Sequence, residues 1–221
     1  VVLNHMGSYN YLHLDPPAKD WVHQWPAFTR SNYRDAAFND IHVSKYDREQ
    51  FGSGWFDTTM PDVNQRNPLV ATYLIQNFIW WVELTVDAYR IDTYPYSDRQ
   101  FLMQWGEALA TEFPKLGVFG EAWVQGTGQQ AFFVKNILPP VDGFKSNLPG
   151  VTDFQSQYAI NEALTKDAGW TDGIAKLYYA LQGDWMYEDP LRNVVFLDNH
   201  DLSRNLTLAL NRSVAFFRAN L

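Results

Sequence analysis

Three acidic residues stand where an apolar stretch of the sequence turns polar. Asp92 ends the run 86–92, Glu121 ends the run 117–121, and Asp201 follows the run 193–198. Two carboxyl groups about 5–5.5 Å apart are what retaining glycoside hydrolysis requires, one as nucleophile and one as acid/base. A third carboxylate could hold the distorted sugar by its hydroxyls. If the fold brings the three together, they predict cleavage of a glycosidic bond.

Asp92 has a cationic neighbour on its own strand. Arg90 lies two residues earlier, and the period-two alternation of a strand places both side chains on one side. A nearby guanidinium keeps a carboxylate ionised, which suits a nucleophile. The alternative interpretation is an ordinary buried pair between Arg90 and Asp92.

The other two carboxyl groups have different surroundings. Glu121 follows a Gly-Val-Phe-Gly run and precedes Ala122-Trp123. Apolar and aromatic neighbours raise the pKa of a carboxyl group, as a general acid requires, although a solvated rim glutamate is the alternative. Asp201 ends the polar run Asp198-Asn199-His200-Asp201. His and Asp in that run could bind a metal or hold sugar hydroxyls, and both interpretations stay open.

These residues need elements that deliver them to one place. Short apolar runs alternate with helical patterns, which is typical of parallel βα units. Catalytic groups of a (β/α)8 barrel lie at the carboxyl ends of its strands. The predicted strands are Val1–Leu3, Val86–Asp92, Gly117–Glu121, Val141–Phe144 and Asn193–Asp198. The predicted helices are Leu69–Leu84, Arg99–Phe113, Gln129–Asn136, Phe154–Lys166, Gly173–Leu181 and Leu206–Ala219.

Composition excludes several classes of function. The 221 residues carry a net charge of −8, which disfavours a nucleic-acid partner, and no cysteine, which excludes disulfides. No apolar run is long enough to cross a bilayer, so no membrane segment is expected. Aromatic residues make up 16% of the chain, with 9 tryptophans, and either a large core or sugar binding explains them. A periplasmic or secreted location is favoured over a cytoplasmic one, and a homo-oligomer stays open.

Five separated motifs resemble the α-amylase family of glycoside hydrolases, in the family's order. They are Val1–His5, Met60–Asn64 (MPDVN), Asp87–Asp92 (DAYRID), Gly120–Trp123 (GEAW) and Phe196–Asp201 (FLDNHD). The details are closest to the neopullulanase and cyclomaltodextrinase branch, including enzymes of bacterial starch-utilisation systems. Ala88, where glycine is usual, and Tyr96, where many α-amylases carry histidine or lysine, depart from the pattern.

The resemblance implies a role for each matching residue. Asp92 is expected to be the nucleophile, Glu121 the acid/base and Asp201 the transition-state stabiliser. The residues expected to bind substrate are His5, Arg90, His200, Trp123 and Tyr94. Asn4 matches a position that is often a calcium ligand, so a structural calcium ion is possible, while the chemistry itself needs no cofactor.

The same resemblance implies an α/β fold, a partial (β/α)8 TIM barrel covering about strands 3 to 7. Residues 1–5 and 67–221 would belong to the barrel and residues 6–66 to a small subdomain inserted after the third strand. The expected reaction is hydrolysis of α-1,4 bonds, with α-1,6 bonds as a further candidate, in starch-derived oligosaccharides, cyclodextrins or pullulan. A transglycosylase with the same covalent intermediate and a non-catalytic glucan-binding protein are the alternatives. Because no candidate for the first, second or eighth strand is present, the 221 residues alone are expected to be poorly active.

Overall fold

A parallel sheet forms the centre of the molecule. The computed structural model describes residues 1–10, 15, 17–23, 28–34 and 36–205. Strands β1 (Ala88–Ile91), β2 (Gly117–Gly120) and β3 (Gly150–Val151) pair in that order, both pairs parallel. Single parallel bridges extend the sheet on both sides, from Val2 to Asp92 and from Val194 to Thr152. Five parallel segments therefore lie side by side in chain order, and their carboxyl ends meet at one edge.

Helices connect these segments, as parallel strands require. The α-helices among the described residues are α1 (Ala36–Asn39), α2 (Lys45–Ser53), α3 (Pro68–Glu83), α4 (Arg99–Glu112), α5 (Thr127–Phe132), α6 (Phe154–Thr165) and α7 (Ala175–Leu181). None of the described helices is long and apolar enough to cross a lipid bilayer.

The longer helices begin where the sequence places a capping residue. The Asn67 side chain accepts hydrogen bonds from the first free N–H groups of α3, and Pro68 holds the first helical position. Asp98 caps α4 and Asp153 caps α6 through their carboxylates. These local signals explain why the predicted bounds of α3, α4 and α6 agree with the structure to within one residue.

Three predicted strands differ from the structure. The prediction for Val141–Phe144 is wrong, because its two end residues bond to each other across a turn formed by Asp142 and Gly143, both with positive φ. The strand in that part of the chain is β3, six residues further on. Of the predicted strands Val1–Leu3 and Asn193–Asp198, only one residue each joins the sheet. The predicted helix Leu206–Ala219 lies outside the described residues.

The core lies between the sheet and the helices. α4 buries Phe101, Leu102 and Trp105 almost completely, beside Ile91 of β1. Each such side chain stabilises the fold by about 1.5–3 kcal/mol relative to an exposed one. The stretch 6–66 joins this core through aromatic edge-to-face contacts, among them Phe38 against Phe133 with ring centroids 5.0 Å apart. Its division from the barrel as a subdomain stays a prediction.

Candidate active site

One open cavity of about 580 Å³ contains all three predicted carboxylates. It lies where the sheet segments end. Asp92 follows β1, Glu121 follows β2, and Asp201 lies beyond the segment that pairs through Val194. Of the residues predicted to bind substrate, His5, His200 and Trp123 also line the cavity. The remaining lining residues are Tyr33, Phe56, Met60, Thr93, Pro95, Tyr96 and Gln125.

Arg90 joins two of the carboxylates. Its Nη1 donates to Oδ1 of Asp92 at 3.0 Å, and its Nη2 donates to Oε1 of Glu121 at 2.8 Å. The first contact is the one that strand alternation predicts. The second depends on the register of β1 and β2, which also sets the hydrogen bond from Glu121 N to Ile91 O. The two carboxyl groups are therefore neighbours held by one planar guanidinium, whose fork suits such a double contact.

Glu121 is the most enclosed of the three carboxyl groups, and its residue is 5% exposed. Its Oε2 accepts a hydrogen bond of 3.0 Å from the backbone N–H of Thr93. Burial raises the pKa of Glu121, while the Thr93 hydrogen bond and Arg90 lower it, and the net direction is upward. The expectation of a raised pKa agrees with this direction, and burial is its main cause.

Thr93 supports this contact with an unusual backbone. Its φ of 48° and ψ of 35° lie in the left-handed region, which β-branched residues rarely adopt. Such strain costs about 1–3 kcal/mol and persists where the surrounding structure enforces it. The turn it makes leads the chain from Asp92 into a short 3-10 helix, Tyr94–Tyr96, and aims the Thr93 N–H at Glu121.

Asp201 and His200 lie on the exposed side of the cavity. Their side chains are 44% and 67% exposed, and His200 Nε2 lies 3.2 Å from Oδ2 of Asp201. The backbone N–H of Asp201 donates to the Asn199 side chain at 2.9 Å. Asp198 holds the base of this loop by accepting from Arg204 at 2.6 Å. Asp198 thus stabilises the loop, and Asp201 lines the cavity.

His5 enters the cavity from the chain start. Its ring meets Phe56 edge-on, with centroids 5.2 Å apart, and its Nδ1 lies 3.3 Å from the Asn4 side-chain oxygen. Burial lowers the pKa of His5, outweighing the nearby Asp92, which raises it. A neutral imidazole is consistent with the predicted contact to a sugar hydroxyl.

Asn4, the candidate calcium ligand, is hydrogen-bonded through its amide nitrogen. Its Nδ2 donates to Oδ1 of Asp62 at 2.7 Å and to the carbonyl oxygen of Tyr96 at 3.1 Å. Both partners are acceptors, so the NH2 group must lie between them. A calcium ion there would need the amide oxygen instead. In the part of the chain that the structure describes, no three His, Cys, Asp or Glu side chains are grouped to hold a metal ion.

The two aromatic residues predicted to bind substrate differ in exposure. Trp123 is 41% exposed, stacks on Phe154 with ring centroids 5.0 Å apart, and donates from Nε1 to the Tyr158 hydroxyl at 2.6 Å. Its ring is therefore held in place where it lines the cavity. Tyr94 is 1% exposed and packs against Phe133, which corrects the prediction that it contacts substrate. Its ring fills the space beside Gly120, where a Cβ would come within 2.8 Å of it.

Sequence reasoning missed part of the cavity wall. Tyr33 and Phe56 stack at 5.7 Å and face the carboxylates from the stretch 6–66. Their only sequence signal is the high aromatic content of that stretch, which does not distinguish residues that line a cavity from residues of the core. Thr93 was missed as well, because no motif marks a backbone donor.

No family model matches the sequence. An intracellular maltogenic amylase from Bacillus subtilis (strain 168) is 29% identical over 124 residues, 56% of this chain and 19% of that protein. A cyclomaltodextrin glucanotransferase from Klebsiella oxytoca is 25% identical over 166 residues, 73% of this chain and 25% of that protein. Among solved structures, an α-amylase from Geobacillus thermoleovorans complexed with acarbose superposes with a TM-score of 0.70 at 26% identity, covering 95% of this chain and 41% of that one.

The chain is thus similar in sequence and fold to enzymes of the α-amylase family. Further relatives are a neopullulanase 2 from Thermoactinomyces vulgaris, 26% identical over 58% of this chain, and a cyclomaltodextrinase from Geobacillus thermopakistaniensis (strain MAS1), 24% identical over 48% of it. The chain spans a quarter or less of the length of the curated relatives it matches.

Proposed function

We propose that the protein is a retaining glycoside hydrolase that cleaves α-1,4 glucosidic bonds, with α-1,6 bonds as a further candidate, in starch-derived oligosaccharides, cyclodextrins or pullulan. One observation carries the proposal: Asp92, Glu121 and Asp201 line a single cavity, and Arg90 bonds the first two. Retention requires two carboxyl groups close together, without room for a water between them, and a shared guanidinium favours that spacing.

The proposed architecture is part of a (β/α)8 barrel, about strands 3 to 7, with residues 6–66 inserted after the third. Five parallel segments that are neighbours in chain order support it, because a barrel is wound in this order. In a doubly wound sheet, the order of strands reverses at a switch point. No such reversal occurs among the described residues.

The first chemical step uses the asymmetry of the pair. The Asp92 carboxylate, hydrogen-bonded to Arg90, attacks the anomeric carbon and forms the bond of a glycosyl-enzyme ester. Glu121, whose pKa burial raises, gives its proton to the leaving glycosidic oxygen. The C–O bond breaks with its electron pair on that oxygen, and the aglycone leaves neutral.

The second step reverses the roles. Glu121, now anionic, takes a proton from water, and the water oxygen attacks the anomeric carbon and displaces Asp92. His5, His200 and Asp201 line the same cavity, so they can hold hydroxyls of the sugar through both steps. Hydrogen bonds to these hydroxyls that strengthen in the transition state contribute to the rate.

Transglycosylation is the second candidate, because a sugar hydroxyl could replace the water. The similarity to a cyclomaltodextrin glucanotransferase favours keeping it. Product analysis at high maltotriose separates the two: glucose and maltose indicate hydrolysis, and longer oligosaccharides indicate transfer. A non-catalytic glucan-binding protein would not need the three carboxylates, which are all present.

The deciding experiment measures maltotriose turnover by the intact protein and follows the product anomer by proton NMR. We expect the α-anomer first, and a fall in kcat of at least about four orders of magnitude in Asp92→Asn, because the nucleophile is lost. Asp87→Asn is the matched control, since Asp87 is exposed at the other end of β1. Initial release of the β-anomer, or an unchanged kcat in Asp92→Asn, contradicts the proposal.

A further inference from the structure

A row of hydrogen bonds runs from the stretch 6–66 to His5. Arg66 Nη2 lies 2.7 Å from Nε2 of His23, and His23 Nδ1 lies 2.5 Å from Oδ2 of Asp62. The other oxygen of Asp62 accepts from Asn4, and the Asn4 oxygen lies 3.3 Å from Nδ1 of His5. Asp62 is 1% exposed and Asn4 is 2% exposed, so the middle of the row is shielded from water.

The chemistry of the end groups fixes the direction of each bond. A guanidinium only donates, so His23 must accept at Nε2 and carry its proton at Nδ1, where it donates to Asp62. Burial, with Arg66 beside it, lowers the pKa of His23 to about 4, which keeps this imidazole neutral above that pH. As a carboxylate, Asp62 accepts from His23 on one oxygen and from Asn4 on the other. Burial raises the pKa of Asp62, while Arg66 and the Asn4 hydrogen bond lower it, and the net direction is upward.

The same logic extends to the cavity. Because the NH2 group of Asn4 is held by Asp62 and by the Tyr96 carbonyl, its oxygen is turned to His5. His5 then donates from Nδ1, and its Nε2 is left as an acceptor. An acceptor at that position suits the hydroxyl of a sugar.

We propose that Asp62 and His23 are positioning residues that act through Asn4 to fix the tautomer and orientation of His5, and that this hydrogen-bonded row occupies the place of a cation. The inference rests on the proposed function only for its kinetic test. The tautomer of His5 is measurable without substrate.

The kinetic test is a double-mutant cycle in the intact protein. In Asp62→Asn, one of the two carboxylate oxygens becomes an NH2 group. That group must face either the N–H of His23 or the NH2 of Asn4, both of which are donors, so the Asn4 amide is no longer held. We expect kcat on maltotriose to fall about tenfold with KM little changed, since a displacement of about 1 Å costs up to about 100-fold. In a His5→Ala background, the same substitution is expected to have no further effect on kcat. An equal loss of kcat in both backgrounds overturns the proposal.

A milder pair of variants guards against misfolding. His23→Gln keeps a donor for Asp62 and is expected to retain kcat within about threefold, whereas His23→Leu removes the donor and is expected to lose about tenfold. Equal kcat in the two variants, with equal Tm, overturns the proposal.

The structural test uses nitrogen NMR of 15N-histidine-labelled protein, with the His5 signals assigned from His5→Ala. We expect a neutral ring protonated at Nδ1, and a shift toward the Nε2-protonated form in Asp62→Asn. A ring protonated at Nε2 in the unchanged protein overturns the inference. If this test succeeds while maltotriose is not cleaved, the proposed function fails and the positioning stands.

A chelator experiment tests whether a calcium ion occupies this place. Because the Asn4 amide nitrogen faces the site, a chelator is expected to lower the Tm of the unchanged protein and of Asp62→Asn equally, or not at all. A chelator-induced fall in Tm that Asp62→Asn no longer shows identifies a cation at this place and overturns the proposal.

Discussion

The site has two unlike halves. Asp92 and Glu121 stand directly at strand ends, share Arg90, and have side chains that are 25% and 7% exposed. Asp201 and His200 stand on a loop, contact each other at 3.2 Å, and are largely exposed. The sheet therefore fixes the first half, while loop turns fix the second.

This difference matches the demands of the proposed chemistry. Bond making and proton transfer need fixed distances, and strand register supplies them. Holding hydroxyls of a sugar that changes shape needs acceptors within reach of solvent before the substrate arrives. Substitutions that disturb one half of the site and spare the other test this difference.

After Asp92→Asn, the largest effect in the strand half is expected for Glu121→Gln. Loss of the acid should lower kcat on maltotriose about 1000-fold, within the usual range for acid–base catalysis. α-Glucosyl fluoride, whose leaving group needs no proton, should lose far less. Glu107→Gln, on the exposed face of α4, is the control. Equal losses on both substrates would show that Glu121 is not the acid.

The pH profile tests the same residue. A general acid must be protonated, so kcat/KM is expected to fall as pH rises through the raised pKa of Glu121. The fluoride should not show this fall. The folded state also binds the Glu121 proton more tightly than the unfolded chain does, so its contribution to stability is lost as pH rises through that window.

Arg90→Lys should have the next largest effect. Lysine keeps the charge but has no planar fork, so it cannot hold Asp92 and Glu121 together in the same way. We expect kcat to fall about 100-fold through misplacement of the pair. Arg192→Lys, at an exposed position, is the matched control. A change of less than about threefold in Arg90→Lys would remove the shared guanidinium from the explanation.

The smallest effect concerns stability in the loop half. Asp201→Asn should change the free energy of unfolding by no more than about 0.5 kcal/mol, as expected of a surface position, while activity falls. Urea unfolding measures this. Asp153→Ala is the contrast, because Asp153 is buried and caps α6, and removal of a capping side chain typically costs about 1 kcal/mol. A loss above about 2 kcal/mol for Asp201→Asn would make the two halves alike.

The sequence was most informative where signals are local. Caps and apolar spacing set the bounds of α3, α4 and α6, and motif residues placed the three carboxylates in one cavity. Strand bounds were harder to predict, because an apolar run does not indicate which of its residues pair with a neighbouring strand. Val141–Phe144 closes on itself through a left-handed turn, and the two-residue strand Gly150–Val151 has no periodic signal.

The features that the sequence did not predict depend on contacts between distant segments. The bond from Arg90 to Glu121 depends on strand register, and the row from Arg66 to His5 depends on how residues 6–66 fold back. Tyr94 shows the converse error, since an aromatic ring two residues from the predicted nucleophile fills the space that Gly120 leaves. Neither direction of a side chain nor its burial follows from a motif.

The wall formed by Tyr33, Phe56 and Met60 comes from a different stretch of chain than the acids it faces. Under the proposed function, one part of the ligand-binding wall is thus encoded separately from the reacting acids. Directed evolution confined to codons 28–60 would reshape the entrance for branched or cyclic sugars while leaving the strand-end acids untouched. The bond from Tyr33 to the Phe56 backbone marks where that remodelling should begin.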